Sequence, residues 1–144
     1  MRYFITGGAG FIGSNYVEHL FRNVENITGV TIYDKFTYAA NPKNYQEFLG
    51  DPRFSVIKGD ICDSKLLEKS MTGHDFVVHF AAESHVDRSI DDASAFVETN
   101  VLGTFRVLDT SLRVGIRTVI HVSTDEVYGS LGEGSAVESF PLEP

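Results

Sequence analysis

This sequence is poor in the features that mark secreted, membrane-bound or polyanion-binding proteins. Cys62 is the only cysteine in 144 residues, so no internal disulfide can form and a reducing compartment is expected. Basic residues are scarce: 12 Lys and Arg stand against 20 Asp and Glu, a formal net charge of -8. That balance argues against a general nucleic-acid or anionic-membrane surface. The opening stretch MRYFITGGAGFIGS has one positive charge and then apolar residues broken by four glycines, too short and too glycine-rich for a signal peptide or a membrane span. The five histidines show no metal-ligand spacing, and none is read as a ligand. No repeat, low-complexity tract or linker is present. These absences lead us to expect a cytoplasmic protein. What remains is an ordinary soluble composition, 42% hydrophobic and 22% charged, in a chain about one domain long.

Apolar, β-branched runs recur at 2–6, 29–34, 54–60, 76–82 and 118–123. They are nearly continuous rather than alternating, as parallel strands covered on both faces should be. Helical patterns lie between them. Phe11, Ile12, Tyr16, Val17, Leu20 and Phe21 repeat at helical spacing behind the first glycines, and Leu66, Leu67 and Met71 do so behind a capping Asp63. The longest pattern, over 93–114, is expected to direct Phe96, Val97, Val101, Leu102, Phe105, Leu108 and Leu112 toward a core, with Gly115 ending it. Such alternation predicts an α/β, doubly wound, Rossmann-like parallel sheet with helices on both faces. The stretch 35–53 reads mostly as loop with a short helix, and 129–144 as loop.

The segment TGGAGFIGS combines GxGxxG with GxxGxxG, placing Gly7, Gly10 and Gly13 between a strand and a helix. Glycines there allow a tight turn and let backbone N–H groups approach a pyrophosphate, while the helix start adds a positive dipole end. Asp34 closes the second strand about 20 residues further on, where a carboxylate accepts both ribose hydroxyls of an adenosine and selects NAD over NADP. Lys35 beside it weakens that selection, because a cation tolerates a 2′-phosphate. Asp60 and Ile61 end the third strand. Either Asp60 accepts the adenine amino group with Ile61 on the ring, or Asp63 caps a helix and Asp60 is simply exposed.

The stretch HVSTDEVYGS is odd in another way: an apolar run ends in two adjacent acids, Asp125 and Glu126. Taken alone, such a pair is more often a solvated turn. Together with TGGAGFIGS, YDKFTYAANP, GDICD, HFAAESHVDRS and ETNVLGT, however, it resembles the extended short-chain dehydrogenase/reductase family. Within that family the motifs are similar to those of the dTDP-glucose 4,6-dehydratases, with STDEVYG and AAESHVDRS the narrowest of them. The likeness covers essentially the whole chain.

The resemblance implies a reaction that removes water from C5 and C6 of a hexose without net oxidation. A hydride passes from C4 to NAD, which acidifies the C5 proton; one carboxylate removes that proton, the other protonates the departing C6 hydroxyl, and the hydride returns to C6. Glu126 is then the base, Asp125 the acid, and Thr124 the hydrogen-bond partner of the sugar C4 hydroxyl. One acid must be charged and one protonated, a split that close carboxylates in a partly dry cleft favour. The resemblance further implies cofactor contacts from Phe11 and Ile12 at the pyrophosphate and from Asp34, Lys35, Phe36 and Thr37 at the adenosine ribose. On the nicotinamide side it implies Phe80, Ala81, Ala82, Glu83, Ser84 and Thr99, with Ser84 also near the substrate.

The family's Tyr-x-x-x-Lys falls beyond the acid pair, and none of the six tyrosines here is followed four residues later by lysine. The resemblance therefore implies an incomplete NAD-binding domain over 1–144, lacking the tyrosine helix and the substrate domain. It also implies a homodimer of the full-length protein through the long helix. The resemblance implies dTDP-glucose as the substrate, with NAD binding without turnover and a related UDP-sugar dehydratase or epimerase as the alternatives, since residues that read the base would lie further along. His79 and His121 lie in strand patterns and read as core residues; His85 is nearer the site without a role, and Asp91 and Asp92 read as solvated charge.

Overall fold

The structure, a computed structural model, describes residues 1–84, 93–132 and 134–144. The readings of His85, Asp91 and Asp92 fall outside the described residues. Five strands form one parallel sheet: β1 (Arg2–Thr6), β2 (Gly29–Asp34), β3 (Phe54–Lys58), β4 (Phe76–His79) and β5 (Thr118–His121), in the order β3-β2-β1-β4-β5. The order reverses on the two sides of β1, which is where open α/β sheets leave a crevice at their carboxyl ends.

Successive strand residues point to opposite faces, and each face has its own core. Ile5, Ile32 and Val78 pack on one side with Val17 and Leu20 of α1 (Phe11–Asn23) and with Tyr45 and Phe48 of a 3₁₀ helix, Pro42–Phe48. Phe4, Tyr33 and Val77 pack on the other with Leu67 and Met71 of α2 (Ser64–Met71) and with Val107 of the long helix. Asp63 caps α2 as expected, accepting from the Lys65 and Leu66 N–H groups. β1 and β2 match their apolar runs, whereas β3, β4 and β5 are shorter than theirs, because the last residues of those runs turn out of the sheet and become cleft wall.

Two expectations need correction. Coverage on both faces holds for β1, β2 and β4 but not for β5, where only Val119 is partly buried. As the last strand in the order it has no partner on its outer edge among the described residues, and the helix beside it reaches one face only. The long helix, α3, is also not the uniform, core-directed element its periodicity suggests. It begins as α-helix at Ala93–Phe96, widens to a π-helical segment at Val97–Gly103, and returns to α-helix at Thr104–Arg113.

The side of α3 that meets the protein is built from Gly103, Val107, Thr110 and Ser111, and Leu112 is 82% exposed. Val97, Val101, Leu102, Phe105 and Leu108 are likewise exposed rather than buried. Small residues allow the close approach: a Cβ on Gly103 would stand 2.7 Å from Ile61 Cγ1. The large apolar residues therefore face outward. Gly115 (φ +75°) ends the helix, as its position suggests, with Gly115 and Ile116 N–H groups returning to Leu112 and Ser111 carbonyls. Residues 129–144 form no helix or strand among those described and are mostly exposed.

Candidate functional site

A cleft of about 470 Å³ opens over the carboxyl ends of the strands. Its floor is the turn between β1 and α1. Gly7 has φ +70°, and a Cβ there would lie 2.6 Å from the Ala81 backbone nitrogen. A Cβ on Gly13 would run into the Gly7 carbonyl oxygen and lie 2.9 Å from Gly8 Cα, so α1 can start this close to the turn only with glycine at 13. Gly10 is less constrained, its nearest neighbour being the Gly7 oxygen at 3.4 Å. Gly10 also begins α1 without a side-chain cap, and helix geometry leaves the Phe11 and Ile12 N–H groups without intrahelical partners beside the cleft. That is a cradle for an anionic group, with no side chain in the way.

Asp34 lies at the next strand end. Its Oδ2 accepts from the Ala9 N–H at 3.0 Å and its Oδ1 from the Phe36 N–H at 2.8 Å. The carboxylate thus ties the glycine turn to the loop after β2, and each oxygen keeps a lone pair for a ribose hydroxyl. Phe36 has φ +59° and packs its ring against the core. It is the one expected cofactor residue that does not line the cleft. Lys35 and Thr37 on either side of it do.

Asp63 caps α2, but Asp60 is not simply exposed. Its Oδ2 meets Lys35 Nζ at 2.7 Å and its Oδ1 accepts from the Cys62 N–H at 2.9 Å. Burial opposes ionisation of Asp60, but the Lys35 ammonium and the Cys62 N–H together outweigh it and hold the carboxyl below its ordinary value. The same hydrogen bond raises Lys35. Beneath them the Tyr33 hydroxyl donates to the Asp60 carbonyl at 2.8 Å, and its ring leaves no room for a Cβ at Gly59. Ile61 is buried against α3 and still borders the cleft.

Phe80, Ala81, Ala82, Glu83 and Ser84 form the wall beyond β4, with Thr99 reaching in from the π segment of α3. A residue the sequence reading passed over organises this wall. The Asn100 side chain accepts from the Glu83 N–H and donates to the Glu83 carbonyl, both at 2.8 Å. An Asn inside a helix is a poor helix former, and the π segment around it is the signal that its side chain serves the neighbouring loop. Tyr38 donates to the Glu83 carboxylate at 3.1 Å. Tyr33, Ala39, Ala40, Gly59, Val122 and Ser123 also line the cleft and were not singled out from sequence.

The acid pair stands further out. Thr124 caps a short 3₁₀ helix, Asp125–Tyr128, accepting from the Glu126 N–H at 3.2 Å, while its hydroxyl reaches Asp125 Oδ1 at 3.4 Å. Thr124, Asp125 and Glu126 are all exposed and follow directly on Ser123 at the cleft edge. The partly dry surroundings expected for the pair are not formed by the described residues, none of which covers the exposed side of β5. His79 is a core residue as expected: it hydrogen-bonds Thr6 Oγ1 at 2.6 Å and Thr104 Oγ1 at 3.1 Å. His121 is exposed, stacked on His79 at 5.1 Å. Among the described residues no helix is long and apolar enough to cross a membrane, and no cluster of His, Cys, Asp or Glu is placed to hold a metal ion.

A family of known proteins described as GDP-mannose 4,6 dehydratase matches residues 4–144 of the chain. A dTDP-glucose 4,6-dehydratase of an Actinoplanes species is 49% identical over the whole chain, which covers 46% of that relative. The crystal structure of DesIV, a dTDP-glucose 4,6-dehydratase of Streptomyces venezuelae solved with NAD bound, superposes with a TM-score of 0.95 at 50% identity, over all of this chain and 46% of its own. A UDP-glucose 4-epimerase of Brucella ovis in complex with NAD has a TM-score of 0.84 at 26% identity, over 99% of this chain and 42% of its own. The chain thus spans less than half the length of the relatives it matches.

Proposed function

The chain belongs to the GDP-mannose 4,6 dehydratase family, and from that premise we propose that it is the NAD-binding amino-terminal part of a cytoplasmic nucleotide-sugar 4,6-dehydratase, a lyase converting dTDP-glucose to dTDP-4-keto-6-deoxyglucose for deoxysugar synthesis. One observation carries the proposal: a side-chain-free cradle and a ribose-height carboxylate share a cleft whose far edge leads into adjacent acids. The residues present fit NAD. Free N–H groups on Phe11 and Ile12 suit the pyrophosphate, Asp34 the ribose, and the wall from Phe80 to Ser84, held by Asn100, the nicotinamide side. Bound there, NAD supplies the hydride acceptor and donor that make the dehydration redox-neutral.

The chain's own residues do the proton work. Thr124 orients the C4 hydroxyl, with Ser84 on the substrate side of the wall. Glu126 takes the C5 proton, and Asp125 delivers a proton to the departing C6 hydroxyl. The Tyr-x-x-x-Lys pair and the walls that would dry the acids belong to the remainder of a longer protein, so this chain alone binds NAD without turnover. The outward stripe of Val97, Val101, Phe105 and Leu108 is the surface through which the full-length protein forms a homodimer. UDP-sugar dehydration is the nearest alternative, since no residue here reads the base.

Substituting Glu126→Gln in the full-length protein tests the assignment. Product formation from dTDP-glucose should fall by roughly 10²–10⁴-fold, the usual scale for a general base. Exchange of the C5 proton with deuterated solvent should stop, while calorimetric NAD affinity stays at the parental value. Exchange and turnover at parental rates would sink the role given to Glu126.

A further inference from the structure

Lys35 is the only cation among the described residues lining the cleft; Asp34, Asp60 and Glu83 are its acids. It directly follows Asp34, the carboxylate placed for the ribose hydroxyls, and a cation in that position is what a 2′-phosphate needs. An unengaged lysine there would blur the choice between NAD and NADP. This lysine is engaged. Strands β2 and β3 are paired with Asp34 opposite Lys58, so the residues just beyond the strand ends are neighbours, and Lys35 Nζ meets Asp60 Oδ2 at 2.7 Å.

Asp60 is itself held from several sides. The Cys62 N–H occupies its other oxygen at 2.9 Å, and the Tyr33 hydroxyl holds its carbonyl at 2.8 Å. The charge of Glu98 also acts on Lys35. Asp34, Lys35 and Asp60 together sum to one negative charge, so a phosphate arriving at the ribose edge meets net repulsion instead of a free ammonium.

Resting on the NAD reading above, we propose that Asp60 is a positioning residue for cofactor choice: it draws the Lys35 ammonium to the β3 side and neutralises it, leaving Asp34 to reject a 2′-phosphate. The adenine end of the two dinucleotides is identical. Any direct loss of adenine contact on changing Asp60 therefore cancels in the ratio of their affinities, which responds to the charges at the ribose edge: the Asp60 carboxylate itself and, through it, the Lys35 ammonium.

The test is calorimetric titration of the full-length protein with NAD and with NADP, in the parent, Asp60→Asn, Lys35→Ala and the double variant. Asp60→Asn should shift the affinity ratio toward NADP by roughly tenfold, as one partly exposed ammonium is released toward a phosphate carrying nearly two charges. Between Lys35→Ala and the double variant the shift should shrink to about twofold, because only the solvent-screened charge of Asp60 itself is then removed. Lys35→Ala alone should move the ratio further toward NAD, because it leaves Asp34 and Asp60 uncompensated at the ribose edge, and this arm holds even if Asp60→Asn folds poorly. An unmoved ratio in Asp60→Asn, a shift that survives loss of Lys35 in full, or a move toward NADP in Lys35→Ala would each overturn the inference. A parent that binds neither dinucleotide would instead bring down the NAD reading itself, and the inference with it.

Discussion

At the carboxyl ends of β1 and β2 the cleft is built from backbone held in several directions at once. Gly7 is pressed against Ala81, Gly13 against Gly8, and Asp34 bonds Ala9 on one side and Phe36 on the other. At the carboxyl end of β5 the acids stand on a single 3₁₀ turn, exposed, with one threonine as their local support. The described walls of the proposed cofactor cleft take their geometry from one sheet and the turns that leave it. The acid half has its residues in place but not its environment. In the roles proposed above, a proton donor beside a base needs walls that exclude water, and the described residues do not supply them.

Gly13→Ala should have the largest effect on the first region. The added methyl meets the Gly7 carbonyl and Gly8 Cα, both backbone, so relief requires moving α1 off the sheet. A loss of about 2–3 kcal/mol in chemical denaturation is expected, the upper range for overpacking, together with loss of NAD binding. Gly10→Ala is the control. Its Cβ would find only the Gly7 oxygen at 3.4 Å, and its stability should change by less than about 1 kcal/mol. Equal effects at the two positions would break the view that this turn is tightly built.

The boundary between the two regions runs between His79, buried on β4, and His121, exposed on β5. Burial, aided by the nearby His121, pushes the His79 imidazole down from 6.5 to about 4. Above about pH 6.5 neither the folded nor the unfolded chain protonates this residue. As the pH falls toward about 4 the unfolded chain binds the proton first, so stability declines across that window, by about 3 kcal/mol in all. Denaturation midpoints between pH 7 and 4 measure this, and His79→Gln should remove most of the slope. An unchanged slope in that variant would place the acid sensitivity outside the buried region.

The same boundary separates what could be read in the sequence from what could not. The strands, the glycine turn, the position of Asp34 and the Asp63 cap are local patterns, and each appears in the structure where its chemistry puts it. Phe36 stands away from the cleft lining because its positive φ turns the ring to the core while its N–H is held by Asp34, which its own side chain does not signal. The α3 stripe was misassigned for a broader reason. Periodicity reveals that a helix has an apolar face but not what covers it, and here the small residues Gly103 and Ser111 win the sheet side because they permit closer approach. Asn100 escaped notice because its importance lies in a contact with Glu83, 17 residues earlier.

The smallest expected effect is the stability change on Asp125→Asn, and it sharpens the comparison most. Asp125 is exposed, and its one described bond is the weak contact from the Thr124 hydroxyl at 3.4 Å, which an amide oxygen accepts as well. Its charge at the start of the 3₁₀ turn contributes a few tenths of a kcal/mol at most in water. Denaturation of Asp125→Asn should therefore stay within about 0.5 kcal/mol of the parent, several times less than the change at Gly13. A residue that tolerates this exchange in folding but not in turnover is retained for its proton alone. If stability instead falls by more than about 1 kcal/mol, the acid supports the turn, and the contrast between a built cofactor half and an unwalled acid half fails at the residue on which it most depends.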